Sequence, residues 1–296
     1  MTQIAFLGLG AIGTPMARHL AQPPFTLTVW NRTRARADEF ARSTGARAAA
    51  TPREAATGAV FVVTCLPTSR EVESLLDGAD GLIAGMARGS MLIDCTSGDP
   101  ATSRRIAARL GERGIGFVDA PVSGGTVGAE RGTLTVMCGG DAESFERARP
   151  VIDAFGEKLV HCGPVGTGHA LKSVNNALLA VHVWATGEGL AALAKAGVSP
   201  KIALDVINAS SGRSNTSQNL FPERVLTRAF PRTFRLALLD KDVGIAAGVA
   251  REQHVASPLL QLTSELFRAA RTLLGEEADH VEAVRVIEAW SGVEIT

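Results

Sequence analysis

Tyrosine is absent from the 296 residues, so no phenol is available to pass a proton to a substrate. Cysteine is sparse. Cys65, Cys95, Cys138 and Cys162 stand far apart, no C-x-x-C pair occurs, and no group of Cys, His and acid has the spacing of zinc ligands. The four read as buried free thiols of a reducing compartment, and no metal is expected. No uninterrupted apolar run reaches the roughly 18 residues of a membrane span. Polar Thr2 and Gln3 stand where a secretory signal would carry basic residues. Basic tracts are missing too, and the formal net charge is zero, which argues against nucleic acid as a partner. These absences together predict a cytoplasmic protein that engages neither membrane nor nucleic acid.

What the chain has instead is 46% hydrophobic residues against 20% charged, enough for one large domain or two ordinary ones. Short apolar runs at 4–7, 26–30, 60–64, 91–94, 116–119, 133–137 and 158–161 alternate with helix-like stretches, among them 13–21 and 33–43. That is the pattern of parallel βαβ units. Beyond about residue 168 the strand signal stops. Helices are expected at 170–196, 200–207, 238–252, 258–274 and 281–290. The fold class is therefore α/β: a dinucleotide-binding Rossmann-type domain over 1–163, then an all-helical domain over 164–296 that opens on a long interdomain helix.

The first strand runs into Gly8-Leu9-Gly10-Ala11-Ile12-Gly13, and a helix and a second strand follow. In that setting G-x-G-x-x-G is a dinucleotide fingerprint. One glycine makes the tight turn, one lets backbone approach a pyrophosphate, and one packs helix on strand, with the anion at the helix N-terminus. At the end of the second strand, where NAD-binding chains carry a carboxylate for the ribose hydroxyl, this chain has Asn31-Arg32-Thr33. A guanidinium suits a 2′-phosphate, so NADP is favoured over NAD, with Asn31, Arg32 and Thr33 as its readers.

With tyrosine and zinc set aside, His161 and His169 are candidates only as lone residues at the domain junction. Lys172 is a stronger one. It follows Gly163, Gly166 and Gly168 into the long helix, with Asn175 and Asn176 at i+3 and i+4. A helix N-terminus and partial burial both disfavour an ammonium, which brings a lysine toward the neutral range a general acid/base needs. After the fifth strand, Ser123, Gly124 and Gly125 offer a hydroxyl and bare amides suited to a carboxylate.

These motifs occur in an order that resembles the β-hydroxyacid dehydrogenase family, which includes 3-hydroxyisobutyrate dehydrogenases and tartronate semialdehyde reductases. The resemblance spans essentially the whole chain. It rests on the opening glycine signature through Ala17, on Asp119-Ala120-Pro121-Val122-Ser123-Gly124-Gly125, on Gly166-Thr167-Gly168 through Lys172 and Asn176, and on Leu239-Asp240-Lys241-Asp242-Val243. It implies that Lys172 is the proton donor and acceptor at the substrate oxygen. It implies that Ser123, Gly124 and Asn176 hold the substrate with Asn175 close by, and that Leu66, Pro67, Ser97 and Lys241 touch the cofactor. Asp242 would anchor the lysines. The helical half would complete the active site and join subunits into a homodimer or homotetramer.

The expected activity is the interconversion of a short hydroxy acid and its carboxylated aldehyde. Reduction of glyoxylate, succinic semialdehyde or imines stays open, as does a dinucleotide-binding sensor without catalysis. The polar stretch 207–225 reads as a lid or a solvated loop, with Arg213 available to a second carboxylate.

Overall fold

The computed structural model describes all 296 residues, Met1 to Thr296, as two compact units, Met1–Lys172 and Ser173–Thr296. In the first unit every apolar run becomes a strand: β1 (Thr2–Leu7), β2 (Phe25–Trp30), β4 (Phe61–Thr64), β5 (Met91–Asp94), β6 (Gly116–Asp119), β8 (Leu134–Gly139) and β9 (Gly156–Gly163). Two strands of two residues each, β3 (Arg47–Ala48) and β7 (Val122–Ser123), complete the set. The sheet order is β3-β2-β1-β4-β5-β6-β8-β7, with β9 on β8.

From β3 to β6 every pairing is parallel. Side chains alternate between two buried faces. Ile4, Phe6, Val63, Ile93 and Val118 enter one apolar cluster, and Ala5, Leu7, Val62, Leu92 and Phe117 enter the other. This burial on both sides is why the strands read as unbroken apolar runs. The expectation of parallel units throughout fails at β8, which runs antiparallel to β6 and β7. The connection from β6 is taken up by β7, itself antiparallel to β8, and by a seven-residue helix, Gly125–Arg131.

All four cysteines are free. Cys95 and Cys138 are buried, whereas Cys65 and Cys162 keep part of their surface exposed, a partial correction to the expectation of four buried thiols. Burial, followed by the Asp119 charge, pushes the Cys138 thiol up to about 12. Burial also pushes Cys95 up. In the unfolded chain both ionise near pH 8.5. The thiol form is therefore favoured by folding, and this stabilisation is intact below about pH 8.5 and drains away as pH rises toward 12. A urea midpoint that falls between those limits in the wild type, and falls less in Cys138→Ala, is the expected result; parallel curves would refute it.

The second unit is helical, as expected. Pro200–Asn208, Leu236–Glu252, Pro258–Leu274 and Val284–Ser291 pack with the later turns of the long helix around Trp184, Leu190, Phe221, Leu239, Phe267 and Ile287. The polar stretch read as a lid or solvated loop is instead largely ordered as a π-helix, Thr216–Val225. Thr216, Ser217, Phe221 and Val225 are buried there. Ser217 Oγ donates to Asn208 Oδ1 at 2.7 Å, and the Ser214 amide donates back to Ser217 Oγ at 2.9 Å. These hydroxyls satisfy polar groups at the irregular entry to the helix. Arg213 lies exposed just before it.

The long helix spans 29 residues, Thr167–Lys195. By length and composition it could cross a bilayer, with a mean hydropathy of 1.4 over its most apolar window. Counting uninterrupted apolar runs misses this, because His182 and Glu188 break the run. Ala177, Ala180, Val183, Trp184 and Leu190 bury one side of it in the second unit's core.

Candidate functional site

Ligands of open α/β sheets bind beyond the carboxyl ends of the parallel strands, and in the first unit those ends carry most of the residues singled out in the sequence. After β1, Gly8 has φ +109°, and a Cβ there would lie 2.2 Å from the Cys65 carbonyl oxygen. A Cβ on Gly13 would lie 2.0 Å from the Gly8 oxygen. Around Gly10, in contrast, nothing stands within 4 Å of the position a Cβ would take. The turn is thus closed at its first and third glycines and open at the second, as a backbone that admits a pyrophosphate requires. Leu9, Gly10 and Ala11 border an open depression of ≈ 650 Å³ that also meets Arg18 and Arg36.

At the end of β2, Asn31 turns toward the protein. Its Oδ1 accepts from the Leu9 amide at 3.0 Å, and its Nδ2 donates to the Thr33 carbonyl at 3.0 Å, so this side chain clamps the glycine turn. Arg32 is exposed and its guanidinium makes no ion pair. Thr33 starts the helix Arg34–Thr44 without a side-chain cap, which leaves that helix's first amides available to an anion. These donors and the open Gly10 face fit a dinucleotide.

The turns after β4 and β5 are set by a residue the sequence reading passed over. Asp94, buried at the end of β5, accepts from Thr64 Oγ1 at 2.8 Å and from the Thr96 amide at 3.1 Å. Thr96 Oγ1 in turn accepts from the Leu66 amide at 3.1 Å. One carboxylate therefore fixes both the Leu66–Pro67 turn and the start of the turn holding Ser97. Its signal was an acid closing the apolar run Met91-Leu92-Ile93-Asp94, a place where a buried polar side chain needs hydrogen-bond partners.

Asp119, at the end of β6, is buried as well. Its two carboxylate oxygens accept from the Gly166 amide at 2.6 Å and the His169 amide at 2.8 Å, which caps the start of the long helix. Burial pushes its carboxyl up, against the pull of His169 and of these two amides. The His169 ring is fully buried, with Nδ1 against Ser103 Oγ at 2.6 Å. His161 stacks on Phe145 and bonds the Gly140 carbonyl. His161 is exposed, and His169 Nε2 is buried without a hydrogen-bond partner. Beyond them, Ser123 is half-buried with an unpartnered hydroxyl. Gly124 (φ +134°) and Gly125 (φ +64°) open the next helix, which has no side-chain cap.

Lys172 is the sixth residue of the long helix and only 9% exposed. One helical turn on, Asn175 and Asn176 share its face. In the second unit Asn176 Nδ2 donates to Asp242 Oδ2 at 2.6 Å, Lys241 Nζ pairs with Asp242 Oδ1 at 3.1 Å, and Asn175 Nδ2 donates to Asn176 Oδ1 at 3.2 Å. Three residues singled out in the sequence, Asn175, Asn176 and Lys241, thus gather around Asp242.

Comparison with known proteins bears on both units. Residues 3–163 match the model of the NAD binding domain of 6-phosphogluconate dehydrogenase, and residues 166–287 that of the NAD-binding domain of NADP-dependent 3-hydroxyisobutyrate dehydrogenase. An NAD-dependent L-serine dehydrogenase of Pseudomonas aeruginosa is 38% identical over 90% of this chain and 92% of its own. A 2-(hydroxymethyl)glutarate dehydrogenase of Eubacterium barkeri is 33% identical over 99% and 97%. Among solved structures, a Mycobacterium tuberculosis 3-hydroxyisobutyrate dehydrogenase with L-serine superimposes with a TM-score of 0.87 at 30% identity, covering 97% of this chain and 99% of that one.

Proposed function

The chain belongs to the β-hydroxyacid dehydrogenases, NAD(P)-dependent enzymes acting on the CH–OH group of small hydroxy acids, and on that premise we propose that it interconverts a short 3-hydroxy acid and its carboxylated aldehyde, with NADP and with Lys172 as general acid and base. The observation that carries this reading is Lys172 itself. It is a buried lysine, one helical turn from two amides, in a chain without tyrosine.

The nicotinamide, when bound, supplies or removes hydride at the reacting carbon. The remaining work belongs to the chain. Gly8 to Gly13 receive the pyrophosphate, Arg32 and Thr33 the 2′-phosphate, and Leu66, Pro67, Ser97 and Lys241 complete the cofactor's contacts. Ser123 Oγ and the amides at Gly124 and Gly125 bind the substrate carboxylate, and Asn175 and Asn176 hold the substrate. As aldehyde is reduced, the Lys172 ammonium gives its proton to the developing alkoxide, and its charge stabilises that oxygen as it forms. In the oxidative direction the neutral amine takes the alcohol proton.

The preference for NADP rests on Arg32. A relative named as NAD-dependent makes this the part of the proposal most open to test. Removing one charge-assisted contact costs about 1.5–3 kcal/mol, so Arg32→Ala is expected to raise the KM for NADPH about tenfold or more and leave that for NADH unchanged.

The direct experiment follows absorbance of the reduced nicotinamide while the protein meets methylmalonate, succinic and tartronate semialdehydes and glyoxylate. NADPH consumption with one of these supports the reading. Turnover confined to NADH overturns the role of Arg32, and no turnover with either cofactor overturns the proposed activity.

A further inference from the structure

Asp242 is buried (1% exposed), as is Asn176 (4%), and a carboxylate in that position needs a reason. Its two oxygens have different partners, Asn176 Nδ2 at 2.6 Å and Lys241 Nζ at 3.1 Å. A carboxylate only accepts hydrogen bonds, so Asn176 must turn its NH₂ end toward Asp242. Its Oδ1 then faces the Asn175 amide, which donates to it at 3.2 Å. With both ends engaged, the Asn176 side chain keeps one N–H and one lone pair, each in a fixed direction. An asparagine without such a partner is free to turn by half a revolution and exchange donor for acceptor at little steric cost.

We propose that Asp242 is a positioning residue for the dehydrogenase reaction. It selects one of the two orientations of the Asn176 amide, so that a donor rather than an acceptor faces the substrate oxygen. Lys241 supplies the counter-charge that lets this carboxylate stay buried. The inference rests on the proposed role of Asn176 at the substrate.

Asp242→Asn keeps the shape and can still bond Asn176. It can present either nitrogen or oxygen, however, and so no longer dictates the amide's orientation. The expected result is a kcat lower by about 10²-fold, the scale of a mispositioned substrate contact, with the KM for NADPH within about twofold. The loss must also run through Asn176: Asn176→Ala combined with Asp242→Asn should be no slower than Asn176→Ala alone. Unchanged kcat in Asp242→Asn, or losses that multiply in the double variant, overturns the proposal.

If Asp242→Asn does not fold, Asn176→Asp tests the same contact from its other side. Two facing carboxylates share a proton at raised pKa, and the protonated one can donate. Its kcat is then expected to climb as pH falls from about 8 to about 6, whereas a flat profile refutes the role. Wild-type protein runs alongside. Active wild type with an indifferent Asp242→Asn defeats the positioning role alone; inactive wild type defeats the function on which that role rests.

Discussion

Lys172→Ala should reduce kcat about 10³-fold, in the middle of the range for loss of a general acid/base, and leave cofactor dissociation within about twofold. This amounts to about 4 kcal/mol of transition-state stabilisation, and two effects lie behind it. Without the ammonium, no group at that position protonates the alkoxide as it forms, and no cation offsets its charge. Helix formation is not at risk, because alanine is the strongest helix former and the position is interior to a 29-residue helix. Lys172→Arg should rescue little, since a guanidinium keeps its proton at any working pH. Single-turnover absorbance with saturating NADPH separates the chemical step from binding. Retention of most turnover by the alanine variant would remove Lys172 from the mechanism.

The second large effect is expected at Gly13. The Cβ of Gly13→Ala would fall 2.0 Å from the Gly8 carbonyl oxygen, a backbone atom that no side-chain rotation can move. The turn must open by about an ångström, and displacement on that scale costs on the order of 10²-fold. Affinity for NADPH is expected to fall by that factor, measured by quenching of protein fluorescence. Gly10→Ala is the informative contrast. Its Cβ meets nothing within 4 Å, so the apo fold should be as stable as wild type while dinucleotide binding is lost to direct obstruction. Equal melting temperatures for wild type and Gly10→Ala, with a lower one for Gly13→Ala, would separate the glycine that packs from the glycine that makes room.

Much of this was legible because its physical cause is local. A strand buried on both faces must be apolar at every position, so β4 and β5 were readable from four residues each. The two-residue strands β3 and β7 have no pattern long enough to detect, and nothing in the run at 133–137 encodes that β8 opposes β6. Direction depends on how the chain on either side of the run is placed, here β7 and the helix Gly125–Arg131 before it. The π-helix at Thr216–Val225 was hidden for the opposite reason. Ser and Asn favour turns and caps when judged singly, yet here Ser214, Ser217 and Asn208 satisfy one another while Phe221 and Val225 enter the core. In the site, residue types that contact ligands stood out, as Lys172 and Arg32 did. The carboxylates behind them did not. Asp94 and Asp119 look like ordinary strand ends until the amides they bind, from Thr96 to His169, are brought near by the fold.

The position of β1 also bears on how the chain is made. Strand Thr2–Leu7 leaves the ribosome before both of its neighbours, since it lies inside the sheet between β2 and β4. Its second neighbour, Phe61–Thr64, emerges only after some tens of further residues, a delay of seconds at about 5–20 residues per second. Throughout that interval one edge of the most apolar part of the nascent unit, Ile4 to Leu7, has nothing to pair with. The early chain is thus a natural client for a holding chaperone, and slowing translation before residue 61 should cost yield more than slowing it after residue 94.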